Sequence, residues 1–144
     1  MLLFGRVTYE MMAGFWPSPM ALENDPVVAN GMNEAEKIVF SRTMKKADWN
    51  GTRVVKGDIA EEVRELKAAS GKSMTILGSG SVVTQLAEAG LVDEYQFLIA
   101  PVAIGEGTPL FQGVSHPVGL KLTSARPFKD GSVLLCYESD KLKA

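Results

Sequence analysis

Ser73-Met74-Thr75-Ile76-Leu77-Gly78-Ser79-Gly80-Ser81-Val82-Val83-Thr84-Gln85-Leu86-Ala87-Glu88-Ala89-Gly90 passes from strand to turn to helix without a linker. Residues 73–77 have the apolar density of a short strand, 78–81 form a glycine turn, and 82–89 read as a helix. Gly90 ends that helix as a C′ residue, and Leu91 can close a hydrophobic contact behind it. Just upstream, residues 58–70 carry the clearest helical pattern. Asp58 can cap it, Glu61 sits at N3, Ile59, Val63 and Leu66 line one face, and Gly71 stops it. Just downstream, residues 95–100 are largely apolar without clean alternation, which predicts a strand buried on both faces.

Working outward, residues 37–41 and 52–56 read as two further buried strands with Trp49-Asn50-Gly51 as a turn between them. Residues 120–125 and 132–138 are joined by Lys129-Asp130-Gly131, a hairpin signal. At the front, residues 6–15 space Val7, Met11 and Phe15 at i, i+4 and i+8, which predicts a helix with one apolar face. Pro17 ends it by moving Trp16 away from the αR region. Residues 20–33 are broken by Pro and Asn, with a short helix after Pro26. The predicted fold class is α/β: a mixed, mostly parallel sheet flanked by helices, with a C-terminal antiparallel hairpin. No repeat or linker divides the chain, so residues 1–144 are expected to form a single domain.

Composition narrows the class further. The chain has 144 residues, of which 46% are hydrophobic and 22% charged, which argues against disorder, collagen and coiled coil. The formal charge of −2 gives no general pull toward nucleic acid or an anionic membrane. Cys136 stands alone, so an intrachain disulfide or a Cys-based zinc site is not expected, and a reducing, cytoplasmic compartment fits. The opening Met1-Leu2-Leu3-Phe4-Gly5-Arg6 turns polar too soon for a signal peptide. The longest apolar run, residues 97–104, is interrupted by Pro101 and is too short for a membrane span.

Three polar clusters fall at element boundaries. Gly5-Arg6-Val7-Thr8 opens the first helix. A cation there opposes the helix dipole, so Arg6 is either solvated or shares the space with an anion, for which Thr8 and free N–H groups are suited. Ser41-Arg42-Thr43 follows a strand at the end where α/β sheets collect ligands. Hydroxyls flanking an arginine suit a phosphomonoester such as the 2′-phosphate of NADP; an ordinary polar strand–loop junction is the other reading. Gly78-Ser79-Gly80-Ser81 lets backbone approach a pyrophosphate at a helix N-terminus, or is only a tight turn. It is not the Rossmann fingerprint, since Val83 occupies the place of the third glycine. Gly105-Glu106-Gly107-Thr108 is a second such pair, read as a turn first. Together the clusters make one dinucleotide groove if their strands are neighbours. His116 has no second ligand nearby and reads as a surface or packing residue. Cys136, among Leu134, Leu135 and Tyr137, reads as an inert core thiol. Met11, Met12, Phe15 and Trp16 form a soft apolar cluster, by default core and otherwise one wall of a flat aromatic-substrate pocket.

Residues 3–10 resemble the Gly-Arg-x-Thr-(aromatic)-Glu segment of the dihydrofolate reductase superfamily. Residues 76–111 are similar to its riboflavin branch, the C-terminal reductase domain of the bifunctional deaminase/reductase. There a glycine-rich turn leads to Leu-x-x-x-Gly-Leu-Val-Asp-Glu, here residues 86–94. Ala-Pro-Val-x-x-Gly-x-Gly-x-Pro-Leu-Phe follows, here residues 100–111. The resemblance implies a helix-flanked mixed sheet binding NADPH. By that resemblance Arg6 and Thr8 meet the cofactor phosphates, and Ser41, Arg42 and Thr43 surround the adenosine 2′-phosphate. Gly78, Ser79, Gly80, Ser81 and Val82 lie along the pyrophosphate and nicotinamide side. Family members open with a hydrophobic strand and a Ser-x-Asp-Gly-like segment ahead of the Gly-Arg-x-Thr helix. Neither is found here, so the chain looks short by a strand and a loop: either the sequence is shortened at its start, or another element or subunit fills the gap.

The resemblance makes an NADPH-dependent reductase of a pterin or ribosylaminopyrimidine type of substrate the leading expectation. The alternatives are a non-catalytic NADP(H)-binding protein and an assembly protein whose sheet is completed by a partner. No motif assigns a catalytic acid; hydride transfer demands mainly proximity and orientation. A small-molecule substrate and a homodimer are expected, without nucleic acid, membrane or metal.

Overall fold

The computed structural model describes residues 1–140 and resolves into two sheets. The elements run β1 (Leu2–Gly5), α1 (Arg6–Phe15), α2 (Pro19–Asn24), α3 (Pro26–Glu34), β2 (Lys37–Phe40), β3 (Thr52–Val55), α4 (Ile59–Ser70), β4 (Thr75–Ile76), α5 (Gly80–Glu88), β5 (Glu94–Ile99), β6 (Leu120–Pro127) and β7 (Val133–Ser139). The first sheet has the order β3-β2-β1-β4, and every pairing in it is parallel. The second has the order β5-β7-β6 and is antiparallel. The helix-flanked α/β class and the C-terminal hairpin are as expected. The mixed, mostly parallel arrangement is present as a parallel sheet and a separate antiparallel one, and the outer edges of β4 and β5 have no strand partner among the described residues.

β1 was not foreseen as a strand, yet it lies inside the parallel sheet between β2 and β4. Successive side chains of a strand point to opposite faces, so Leu3 and Phe4 enter two different cores. Leu3 joins Ile38, Phe40, Val55, Val63, Val82 and Leu86 under α4 and α5. Phe4 joins Tyr9, Met32, Val39 and Trp49 under α1 and α3. Helices on both faces explain why all four residues of β2 are buried. One of them is Lys37, only 1% exposed. Its Nζ donates to the carbonyls of Asn33, Ala35 and Asn50 at 3.0, 2.7 and 3.0 Å and lies 4.4 Å from the centre of the Trp49 ring. Burial lowers its pKa below the ordinary lysine value, while the three carbonyls supply the partners that a buried ammonium requires.

A third core links the sheets. Val83 and Ala87 of α5 pack with Tyr95, and around them gather Ile76 of β4, Phe97 of β5, Phe111 and Tyr137. This cover reaches Tyr95 and Phe97 and no farther along β5. Tyr95 is buried, whereas Leu98 and Ile99 are 64% and 53% exposed, so the predicted burial of β5 on both faces is corrected. The apolar face expected of α1 is corrected as well. Val7 and Met11 are 71% and 63% exposed and Phe15 is also exposed, while Tyr9, Met12, Ala13 and Trp16 face the core. The soft cluster thus divides, with Met12 and Trp16 inward and Met11 and Phe15 outward. Residues 20–33 hold two helices, each with Pro at its start and a side-chain cap, Ser18 for α2 and Asp25 for α3. Among the described residues no helix is long and apolar enough to cross a membrane.

Candidate functional site

The register of the parallel sheet aligns the segments that leave it. Gly5 pairs with Phe40, and Leu3 pairs with Ile76. Arg6, Ser41 and the turn at Gly78 therefore leave the sheet at the same end, the carboxyl ends of β1, β2 and β4. That end is where open α/β sheets place ligands.

Two of the three clusters are in direct contact. The Gly5 N–H donates to Ser79 Oγ at 3.0 Å, and Ser79 Oγ–H donates to the Leu77 carbonyl at 3.3 Å. A Cβ on Gly78 would stand 3.7 Å from Thr8 Cγ2, and a Cβ on Gly5 would stand 3.5 Å from Val82. The turn is left-handed at two successive residues, with φ of 59° at Gly78 and 52° at Ser79. Ser79 is the only residue other than glycine with positive φ among the described residues. A non-glycine residue there costs roughly 1–3 kcal/mol, and such strain concentrates at functional sites. The side chain of Ser79 is occupied in holding the turn to β1, which leaves backbone groups rather than its hydroxyl to face a ligand.

The helix starts differ in kind. Ser18, Asp25 and Asp58 cap α2, α3 and α4 with side-chain oxygens that accept from Ala21, Val28 and Glu61 N–H. Neither α1 nor α5 has a side-chain cap. These two helices are the ones that start beside the Gly5–Ser79 contact. An uncapped N-terminus presents unpaired N–H groups and the positive end of the dipole, which suits a phosphate. Gly80 also permits a close approach, since a Cβ there would meet the Leu110 carbonyl oxygen at 3.2 Å.

Arg6 is not solvated alone. It pairs with Glu10 one turn on, Nη1 to Oε1 at 3.2 Å, both side chains about half exposed. The anion that shares the space of Arg6 is, in this structure, a carboxylate of the same helix. An exposed pair of this kind contributes about 0–1 kcal/mol, so a phosphate can take the place of Glu10 at small cost. At the second cluster, buried Ser41 accepts from the Met44 N–H at 3.0 Å, and its Oγ lies 3.5 Å from Thr43 Oγ1. Ser41 shapes the turn, while Arg42 and Thr43 are exposed. Among the described residues no hydrogen bond joins this cluster to the other two. They share an end of the sheet, and the chain does not tie them together.

Residues 105–108 are exposed, and a Cβ on Gly105 would meet nothing within 4 Å. The end of the same loop does: Leu110 meets α5 at Gly80, the Gln112 carbonyl accepts from Thr84 Oγ1 at 3.5 Å, and Phe111 enters the third core. Sequence reasoning placed its weight on the glycines of that segment and missed its Leu-Phe end. His116 is exposed, with Nδ1 3.0 Å from Ser115 Oγ, and Cys136 is a free, half-buried thiol in β7. A depression of about 550 Å³ is lined by Tyr9 and Ala13 of α1 together with Met44 and Trp49, and includes none of the expected site residues. Among the described residues no three His, Cys, Asp or Glu side chains cluster as a metal would need.

Parallel strands ending at two uncapped helices, with an antiparallel hairpin beyond, define an α/β domain of the dihydrofolate-reductase-like class. Within that class, the chain belongs to the RibD C-terminal domain family, whose model matches residues 1–134. It is 33% identical over 136 residues to the uncharacterized protein YyaP of Bacillus subtilis (strain 168), covering 94% of this chain and 72% of that protein. Two crystal structures share the fold. A protein described as belonging to riboflavin biosynthesis, from Shewanella sp. PV-4, aligns with a TM-score of 0.75 at 20% identity, over 97% of this chain and 73% of its own. A pyrimidine reductase-like protein from Corynebacterium diphtheriae aligns with a TM-score of 0.66 at 16% identity, over 97% of this chain and 75% of its own.

Proposed function

We propose that the protein is an NADPH-dependent reductase that delivers a hydride to a small heteroaromatic substrate of the pterin or ribosylaminopyrimidine type. Membership of the RibD C-terminal domain family and the reductase-like structural neighbour support a reductase-type function. The observation that carries the cofactor is local: the two helices without side-chain caps start side by side around a strained glycine turn, at the carboxyl ends of parallel strands. The residues present fit a dinucleotide. Backbone N–H groups at Thr8 and at Gly80 and Ser81 would face the diphosphate, with Arg6 released from Glu10 to join them, while the Val82 N–H is taken by the Ser79 carbonyl at 2.8 Å. Exposed Arg42 and Thr43 would take the 2′-phosphate, on a turn that Ser41 holds in shape. When bound, NADPH supplies the hydride; the chain binds and orients it and keeps its phosphates fixed, which is the larger part of what hydride transfer requires. A homodimer in the cytoplasm completes this reading.

Titration with NADPH and NADH, followed by tryptophan fluorescence, tests the cofactor. Saturable binding with preference for NADPH is expected, and equal affinity for the two would remove the 2′-phosphate site. Arg42→Ala should weaken NADPH about tenfold or more and leave NADH nearly unchanged, since a charge-assisted phosphate contact is lost. NADPH oxidation across pterins, flavins and pyrimidine phosphates tests turnover. Tight binding without oxidation of NADPH by any of them would favour a protein that binds the nucleotide without reducing a substrate.

A further inference from the structure

We propose that Tyr9 is a positioning residue for the cofactor: its hydroxyl sets the spacing between the start of α1 and the Ser41-Arg42-Thr43 cluster, so that one ligand can engage both. The assignment rests on the dinucleotide reading above and adds the residue that makes its two phosphate regions act together. No hydrogen bond joins the clusters themselves, so a link between them has to run one layer behind, through the elements that carry them. The sheet holds those elements only as far as the Gly5–Phe40 pair. Beyond it one strand continues as α1, and the other as residues 41–51, which contain neither helix nor strand.

Tyr9 follows Thr8 in α1 and is buried, with its ring centre 6.3 Å from that of Phe4 and 6.1 Å from that of Trp49. The buried backbone N–H of Trp49, near the end of the 41–51 segment, donates to Tyr9 Oη at 3.1 Å. The other ties of the segment lead elsewhere. Ser41 Oγ accepts from Met44 N–H within it, Trp49 Nε1–H donates to Asn33 Oδ1 of α3 at 2.8 Å, and Lys37 Nζ donates to the Asn50 carbonyl. Among the described residues no other hydrogen bond joins the segment to α1. Packing does not replace that bond, because the depression of about 550 Å³ is lined by Glu10, Ala13 and Gly14 of α1 and by Met44, Lys46 and Asp48 of the segment. Close-packed side chains would fix the distance by themselves; where they leave such space, a buried hydrogen bond has to do it. Successive residues of α1 thus reach the glycine turn, through Thr8, and the 41–51 segment, through Tyr9. A ligand with phosphates on both clusters pays to order them unless they are already held, and gains from their linkage only if the spacing matches. Without the tie, each cluster keeps its own group and the gain from joining them falls.

The test is Tyr9→Phe, which keeps the ring and removes the hydroxyl. Wild type and variant are titrated by calorimetry with NADPH, which spans both clusters, with NADH, which lacks the 2′-phosphate, and with 2′-AMP, which carries that phosphate alone. The variant should bind NADPH about tenfold more weakly, because a buried N–H loses its acceptor and the spacing is released, and should bind NADH and 2′-AMP within about twofold of wild type. An equal loss for 2′-AMP would mean that the hydroxyl only maintains the second cluster, and an equal loss for all three that it only maintains the fold; either overturns the proposal. Unchanged NADPH affinity would do the same. A wild type that binds no 2′-AMP and does not prefer NADPH to NADH would remove the cofactor reading and this proposal with it, and that failure is visible without the variant. If Tyr9→Phe does not fold, amide hydrogen exchange of the wild type decides. Saturating NADPH should slow exchange of the Trp49 amide about tenfold beyond saturating NADH, since ligand and tie strengthen each other reciprocally. Equal protection by the two nucleotides would overturn the proposal.

Discussion

β2 and β5 are both rich in apolar residues, and the structure treats them in opposite ways. Lys-Ile-Val-Phe of β2 is buried at every position, including the lysine. In β5 the Phe-Leu-Ile end is no less apolar, yet Leu98 and Ile99 are mostly exposed. The difference lies in what surrounds each strand. β2 has a strand on both edges and helices on both faces; β5 has one strand beside it and one helix over it. Burial here is a property of the neighbours, and the parallel half should carry most of the folding free energy.

The largest test of that contrast is Phe4→Ala. Phe4 is fully buried in contact with Tyr9 and Trp49, and its truncation should cost about 3–5 kcal/mol in denaturant unfolding. Leu98→Ala in the antiparallel half should cost no more than about 0.5 kcal/mol. Similar losses at both positions would erase the distinction between the halves.

Lys37 sharpens the same contrast from the polar side. Lys37→Met keeps the buried stem and removes the three donors, so carbonyls of Asn33, Ala35 and Asn50 lose their partner. A loss of about 1–3 kcal/mol is expected in the same unfolding experiment. A gain in stability would mean that desolvation of the ammonium outweighs its hydrogen bonds, and that the site is held for some other reason. Below these comes Asp58→Ala at the start of α4, expected to cost about 1 kcal/mol by thermal melting because Glu61 N–H loses its acceptor.

α4 was legible residue by residue, because its signals are local: Asp58 caps it and Gly71 ends it with φ of 58°. β1 was not. Leu2-Leu3-Phe4 is too short to show a period, and its membership of the sheet depends on strands more than thirty residues away. In α1 the spacing of Val7, Met11 and Phe15 located a real stripe and said nothing of which stripe lies inside, since Tyr9, Met12, Ala13 and Trp16 offer a second one. The candidate site divides in the same way. That Arg6, Ser41 and Gly78 stand at strand ends follows from the order of elements. That Gly5 bonds Ser79, while the second cluster stays apart, follows from register, which no local pattern encodes.

The smallest effect concerns how the loop of the antiparallel half is tied to α5. Glu88 accepts from both the hydroxyl and the N–H of Ser115, at 2.5 and 2.6 Å. The hydroxyl bond is the chief cause that holds its carboxyl below the ordinary value, the N–H bond comes next, and His116 adds to it against a small opposing effect of burial. A carboxylate with a lowered folded pKa contributes stability that is fully present above its unfolded value and is lost as pH falls through the folded one. Acid should therefore loosen residue 115 at a pH lower than that at which a free glutamate titrates. The Ser115 amide resonance reports this directly. It should shift with the Glu88 carboxyl, lose that dependence in Glu88→Gln, and do so while the buried parallel half, followed at Phe4 and Val39, stays unchanged. A simultaneous shift at Phe4 would mean that the two halves respond as one cooperative unit, and the contrast between them would then hold for burial and not for stability.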